Sequence, residues 1–344
     1  MKKIISSILV LYMIALTPSY GKATGSTLSS KNRGAVVLLF HRFNENKYPT
    51  TNIRTEQLDD MIKYIKDEGF TVVPLPQVVE ALKSGSVLPP KAIAITIDDA
   101  FKSAYTVAFP KFSEAGIPFT IFVSTQNVNA KNPNYMTWDN LAEMSNAGVD
   151  IQNHTNNHPH MVGKEANTLR QEIETSQTDI AMNTGIVPTL FAYPYGEADL
   201  EVMEIAKNAG FKASFGQYSG VANATSDMYY LPRFAINESY GTLKRLKLVL
   251  NTKPLPVISI QPNNPLITNN NPPQIQFTVS EKIKSLKGLA CYQSNVGKVS
   301  LEVGNKTAYL DFTKPFKKGR TRINCTIRHP QGGYRWYGFQ YFVQ

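Results

Sequence analysis

The sequence is poor in the residues that build specialised sites: two cysteines, two tryptophans and five histidines in 344 residues. Two cysteines exclude a framework of several disulfides. Both stand near the C-terminus, at Cys291 and Cys325, so a lipid anchor on an N-terminal cysteine is not expected. An even count in a chain that leaves the reducing cytoplasm reads as one disulfide. It would close a loop of about 35 residues and contribute on the order of 3 kcal/mol. Long apolar runs are missing too. The stretch Ile4 to Leu16 falls short of the roughly 20 residues that span a bilayer, so no transmembrane segment is expected. With Lys2 and Lys3 before it and Pro18, Gly21 and Ala23 after it, it has the layout of a secretory signal peptide, residues 1–23. A short linker, 24–33, follows, and the mature protein is expected in the periplasm, the cell envelope or the medium.

Acidic residues are scarce toward the C-terminus. From Leu255 to Gln344 there are 12 Lys and Arg against 3 Asp and Glu, so this segment carries +9 of the chain's +10. The residues before it are nearly balanced, 24 basic against 23 acidic. Nucleic acid would suit that charge, but export argues against it. An anionic envelope surface suits both.

Texture divides the chain at the same place. Over residues 34–253, strand-like runs (Ala35 to Phe40, Ala92 to Ile97, Pro118 to Val123) alternate with helix-like segments (Glu56 to Glu68, Tyr105 to Ala115, Leu200 to Asn208). That alternation predicts an α/β fold with a largely parallel sheet. Residues 254–344 open on six prolines and five asparagines before residue 274, composition that suits a linker. Short β-branched and aromatic runs follow, at Ile275 to Val279, Val299 to Val303, Thr321 to Ile327 and Tyr334 to Val343. They predict a small, basic, all-β sandwich. It holds Tyr292, Tyr334, Trp336, Tyr337, Phe339 and Tyr341, and about half of these should fill the core, because alternate residues of a strand face opposite ways. The rest could stack on sugars.

Three elements carry chemistry. The apolar run Ala92 to Ile97 ends in Asp98 and Asp99. Adjacent carboxylates at a strand end often only start a turn, yet two side by side can divide the work of general base and metal ligand. Next, Gln152 to His160 holds three of the five histidines, with His154 and His158 four apart. That spacing suits two imidazoles presented to one cation across a helical turn. Histidine plus carboxylate suits a divalent ion, zinc first. The third, Phe191-Ala192-Tyr193-Pro194-Tyr195-Gly196, by itself reads as a Pro-Gly turn.

In this order and spacing the three elements resemble the NodB-type polysaccharide deacetylases of carbohydrate esterase family 4. The resemblance implies a distorted (β/α) barrel with its site at the C-terminal strand ends. It implies Asp98 as base, and Asp99, His154 and His158 as metal ligands. The backbone N–H of Tyr195 becomes the oxyanion donor, within a groove segment that includes Tyr193 and Pro194. The implied reaction is hydrolysis of N-acetyl groups on an N-acetylglucosamine polysaccharide. Two departures stand out. Ala192 occupies the place of an arginine found in many members, and Leu231-Pro232-Arg233 lacks the late histidine that serves as acid. His41, directly after the first strand, resembles the early acid histidine of the poly-β-1,6-N-acetylglucosamine branch. Arg233 is the substitute for the missing arginine, as a residue that orients Asp98 or lines the substrate groove.

A binding protein that keeps the fold and has lost the acid is the competing reading, and a glycoside hydrolase using Asp98 with another carboxylate is a third. The histidine pair has no purpose in the last.

Overall fold

A computed structural model describes residues 34–344; the expected signal peptide and N-terminal linker lie outside the described residues. The alternation of strands and helices produces a nine-stranded sheet. Its main path runs Val221–Asn223, Gly34–Phe40, Ala92–Asp98, Thr120–Val123, Asp150–Asn153, Leu190–Ala192, Ala213–Phe215. All neighbours on this path are parallel except the first pair. Gly34–Phe40 and Ala92–Asp98 are buried at every position, which a parallel sheet covered on both faces requires. Alternate residues divide between two cores. Leu38, Phe40, Ile95 and Ile97 pack with Leu58, Met61 and Ile65 of the helix Thr55–Asp67. Val37 and Ala94 pack with Leu75, Val78 and Val79 of the helix Leu75–Ser84.

The sheet curls until its far strand meets its first through one short segment. Leu231 exchanges backbone hydrogen bonds of 2.9 Å with Ser214 and Gly216. Phe234–Ala235 then pairs in parallel with Leu38 and Leu39. Arg233 lies inside this bridging stretch.

Residues from Lys253 onward build a second nine-stranded sheet, all β. The long strand Gly297–Gly304 pairs at its start with Ala290–Gln293 and further on with Thr307–Asp311. It thus passes from one half of the sheet to the other, and both halves contribute to one core that includes Phe277, Val279, Ile323 and Phe339. Cys291 and Cys325 are direct cross-strand partners there and are joined by a disulfide.

The proline- and asparagine-rich stretch departs from the expectation of a linker. Val257–Gln261 pairs with Ile275–Val279, and Leu266–Ile267 pairs with the final strand Tyr334–Val343. Pro256, Pro262 and Pro265 flank these strands, where a missing N–H is tolerated. The aromatics also divide. Phe339 and Tyr341 are buried in the second core, Tyr292 is exposed, and Trp336 packs edge-on against Phe234 of the first sheet. The two sheets therefore share a packed boundary, within one compact unit. Among the described residues no helix is long and apolar enough to cross a membrane.

Candidate active site

Period-two alternation puts Thr96 and Asp98 on one face of the strand Ala92–Asp98, and there both meet Arg233. The guanidinium grips Asp98 with two parallel bonds, Nη1 to Oδ1 at 2.7 Å and Nη2 to Oδ2 at 2.8 Å. It also donates to Thr96 Oγ1 at 3.2 Å and to the Gly216 carbonyl at 3.0 Å. Arg233 is 0% exposed and Asp98 2%. Burial opposes the charge on Asp98, but Arg233 outweighs it and holds the carboxyl below the usual range.

Asp99 leaves the strand in a left-handed conformation, φ 76°, and Ala100 follows at φ 59°. Two such non-glycine residues cost about 1–3 kcal/mol each and persist only where the surroundings over-determine them. The backbone N–H of Asp99 donates to the Phe122 carbonyl at 3.0 Å. The turn brings Asp99 Oδ1 within 3.3 Å of Nε2 of both His154 and His158.

The histidine pair sits on a loop, not across the expected helical turn. Side chains replace the helical hydrogen bonds. Asn153 Oδ1 accepts from the Thr155 N–H at 2.8 Å, and Thr155 Oγ1 accepts from the His158 N–H at 3.0 Å. Asn157 is tied twice to Glu172 of the helix Ala166–Thr184, at 2.7 and 2.8 Å. Thr155 and His158 both take left-handed φ, 67° and 54°. His154 Nδ1 lies 2.6 Å from the Ala192 carbonyl. A carbonyl only accepts, so Nδ1 carries a hydrogen and Nε2 is the ring nitrogen turned toward Asp99.

Asp99, His154 and His158 offer one donor atom each, all within 4.8 Å of one another. Bonds of about 2.1 Å in a tetrahedral shell put donors roughly 3.4 Å apart, close to the 3.3 Å contacts seen. Asp99 Oδ1 is buried without a hydrogen-bond partner, a costly state that a cation would relieve. Burial resists charge on Asp99 as well, but the three imidazoles, His154 foremost, hold its carboxyl well below the usual range. Burial and the neighbouring His154 lower His158 to about 4, which leaves it neutral and able to ligate. The residues present fit a divalent cation.

Tyr193-Pro194-Tyr195-Gly196 forms a tight turn at the end of Leu190–Ala192. Its own bonds run from Gly196 N–H to the Tyr193 carbonyl and from Glu197 N–H to Pro194, at 2.8 and 3.1 Å. They leave the Tyr195 N–H outside the pattern. Tyr195 has φ 58°, and its ring stacks on His160 at 4.0 Å and meets His158 edge-on at 4.5 Å. Gly196 is required twice over, for its φ of 68° and because a Cβ there would overlap the backbone nitrogen of Gln217. The Gln217 amide in turn lies 3.4 Å from His41 Nε2. His41 therefore belongs to the same site. Burial lowers its pKa, and the charges of Asp99 and Asp98 work against that.

The three residues expected to line the substrate groove are all buried. Tyr193 is fully buried with its hydroxyl bonded to the Tyr229 carbonyl at 2.9 Å, and Arg233 is committed to Asp98. Neither side chain is free to meet a polymer, and Pro194 is buried as well. Sequence reasoning also passed over Gln217, the Glu197–His160 pair at 2.7 Å, and Arg320. No local motif marks the last, which reaches the turn from 125 residues away.

A family-wide profile described as polysaccharide deacetylase matches residues 85–214. A poly-beta-1,6-N-acetyl-D-glucosamine N-deacetylase of Staphylococcus aureus is 23% identical over 237 residues, 61% of this chain and 81% of the relative. Among solved structures, the Streptococcus pyogenes deacetylase PplD in complex with acetate matches with a TM-score of 0.60 at 22% identity, covering 63% of this chain and 98% of that one. IcaB from Ammonifex degensii gives 0.58 at 22%, covering 64% and 99%. These structures share the fold. The profile spans the aspartate pair, the histidine pair and the tyrosine turn, so residues 85–214 of this chain form a polysaccharide deacetylase domain.

Proposed function

We propose that this protein is an exported, metal-dependent deacetylase that removes acetyl groups from an N-acetylglucosamine polysaccharide, a β-1,6-linked polymer first. The observation that carries the reading is the convergence of Asp99, His154 and His158 beside an Asp98 locked by Arg233. In this reading the first sheet is a distorted (β/α) barrel, residues 34–253, with the site at its strand ends. Residues 254–344 are a basic β-sandwich whose exposed Lys282, Lys284, Lys314, Lys317 and Lys318 face an anionic envelope polymer.

Asp99, His154 and His158 hold the ion, zinc in the first instance; when bound, it acidifies water and polarises the acetamide carbonyl. Asp98 is the base. Arg233 keeps it ionised and fixes its rotamer, so it can accept the water proton as the oxygen attacks. Negative charge then develops on the former carbonyl oxygen, and the Tyr195 N–H donates to it. His41 returns a proton to the departing glucosamine nitrogen. Its burial disfavours the protonated form, and the carboxylates of Asp98 and Asp99 support it.

A non-catalytic sugar-binding protein would have no use for a buried base with a dedicated arginine. Acetate release from N-acetylglucosamine oligomers, with and without chelator, decides the question. Activity abolished by chelator and restored by zinc is expected. Sugar binding without acetate release under any metal would favour the binding protein.

A further inference from the structure

The second sheet reaches into the deacetylase site. Arg320, on the strand Gly319–Arg328, donates from Nη1 to the carbonyl of Tyr195 and, at 3.0 Å, to Gln217 Oε1. Its Nε stands 3.4 Å from Glu197 Oε1. On the neighbouring strand Gln340 donates to the Gly196 carbonyl and, at 2.7 Å, to the Tyr230 hydroxyl. Arg322 holds the Gln217 carbonyl at 3.0 Å. Both carbonyls that follow the strained residue of the turn are thus held from the other sheet.

We propose that Arg320 is a positioning residue for deacetylation: from the second sheet it fixes the backbone turn that presents the Tyr195 N–H and the amide that faces His41. The proposal rests on the reading of that N–H as the oxyanion donor. Three arguments carry it. First, Tyr195 is held at φ 58°, a conformation that a tyrosine abandons unless its neighbouring peptides are pinned. Arg320 pins the peptide on its C-terminal side, and release lets the residue relax and swing the N–H on its N-terminal side. Second, an amide's oxygen and nitrogen are distinguished by partners. Arg320 takes Gln217 Oε1, which leaves Nε2 for His41. Third, the same guanidinium pairs with Glu197, 3% exposed, which holds His160 Nδ1 at 2.7 Å. The His160 ring stacks on Tyr195 at 4.0 Å. One side chain therefore constrains the turn through its carbonyl and through its ring, and reaches the His41 neighbour as well. The second sheet then serves as part of the catalytic framework.

The test uses the full chain loaded with zinc and an N-acetylglucosamine oligomer as substrate. Arg320→Ala and Arg320→Lys are compared for kcat, KM, bound metal and melting temperature. A mispositioned oxyanion donor lowers turnover, so kcat of Arg320→Ala should fall by roughly 10–100-fold, below the loss expected from deleting a donor outright. KM should change by less than about threefold and bound metal should stay at the wild-type level. Arg320→Lys keeps one charged donor and should recover part of kcat. It also serves as the folded variant if Arg320→Ala does not accumulate. Wild-type kcat in Arg320→Ala would overturn the proposal. So would a loss of kcat that tracks lost metal or lost fold, or Arg320→Lys no better than alanine at equal metal content. Wild-type protein that releases no acetate would instead sink the functional reading on which the proposal stands.

Discussion

Two carboxylates one peptide apart ordinarily resist ionising together. At residues 98 and 99 different partners relieve the conflict: a buried guanidinium for the first, imidazoles for the second. Their variants should therefore differ. Asp98→Asn keeps size and most hydrogen bonding but cannot take a proton, so bound metal should remain while turnover falls by roughly 10²–10⁴-fold. Asp99→Ala, like His154→Ala or His158→Ala, removes a donor from a three-residue set, and metal and activity should fall together. Metal analysis alongside acetate release separates the two patterns; loss of metal in Asp98→Asn would contradict the assignment. Arg233 supplies a second contrast. Arg233→Ala strands a buried carboxylate and should cost about 3–5 kcal/mol of stability, read as a lowered denaturant midpoint. Arg233→Lys keeps a charge and loses the fork, so it should fold and turn over at least about tenfold more slowly. A lysine variant with wild-type kcat would show that orientation of Asp98 by the fork is dispensable.

At the scale of strands and helices, much is legible in the sequence. The runs Ile275–Val279, Tyr334–Val343 and Leu200–Asn208 stand where their patterns put them. Gly196 and the aspartate pair sit at strand ends because apolar runs stop there. What was hidden depended on partners far along the chain. The helix Ala166–Thr184 buries only Leu169, Ile173, Ser176 and Ile180, too thin a stripe to stand out. The His154–His158 loop has helical spacing but is shaped by Asn153 and Thr155, and nothing near Arg320 points to a turn 125 residues earlier. The prolines before residue 274 suggested a linker, because composition cannot say whether a proline flanks a strand or breaks it. The disulfide gives this scale its prediction. Cys291 and Cys325 join Ala290–Gln293 to the strand that carries Arg320. A double Cys→Ala variant should lose about 3 kcal/mol or less, measured by chemical denaturation. Unchanged stability would show that the ladder alone holds these strands.

Across the whole molecule, the boundary between the sheets is closely fitted. Gly338 lies so near Ser219 that a Cβ would overlap the Ser219 carbonyl oxygen, and Trp336 reaches Phe234. Residues 34–344 should therefore unfold in one calorimetric transition at fixed metal concentration; two separated transitions would contradict this. Gly338→Ala should force the sheets apart at a cost of about 1–3 kcal/mol, a drop of several degrees at roughly 2–4 °C per kcal/mol, and should reduce kcat with it. An alanine variant as stable and active as the parent would show that the fit is slack. The same layout sets a timetable. The first strand, Gly34–Phe40, waits for Ala92–Asp98 on one side and for Val221–Asn223 and Phe234–Ala235 on the other, and Lys253–Pro254 waits for Arg335 and Trp336. A ribosome delivers the partners beyond residue 220 only late. A nascent chain can thus carry both aspartates and both histidines and still be no enzyme, because Asp98 lacks its arginine until residue 233 has emerged and the tyrosine turn lacks its brace until residue 320 has.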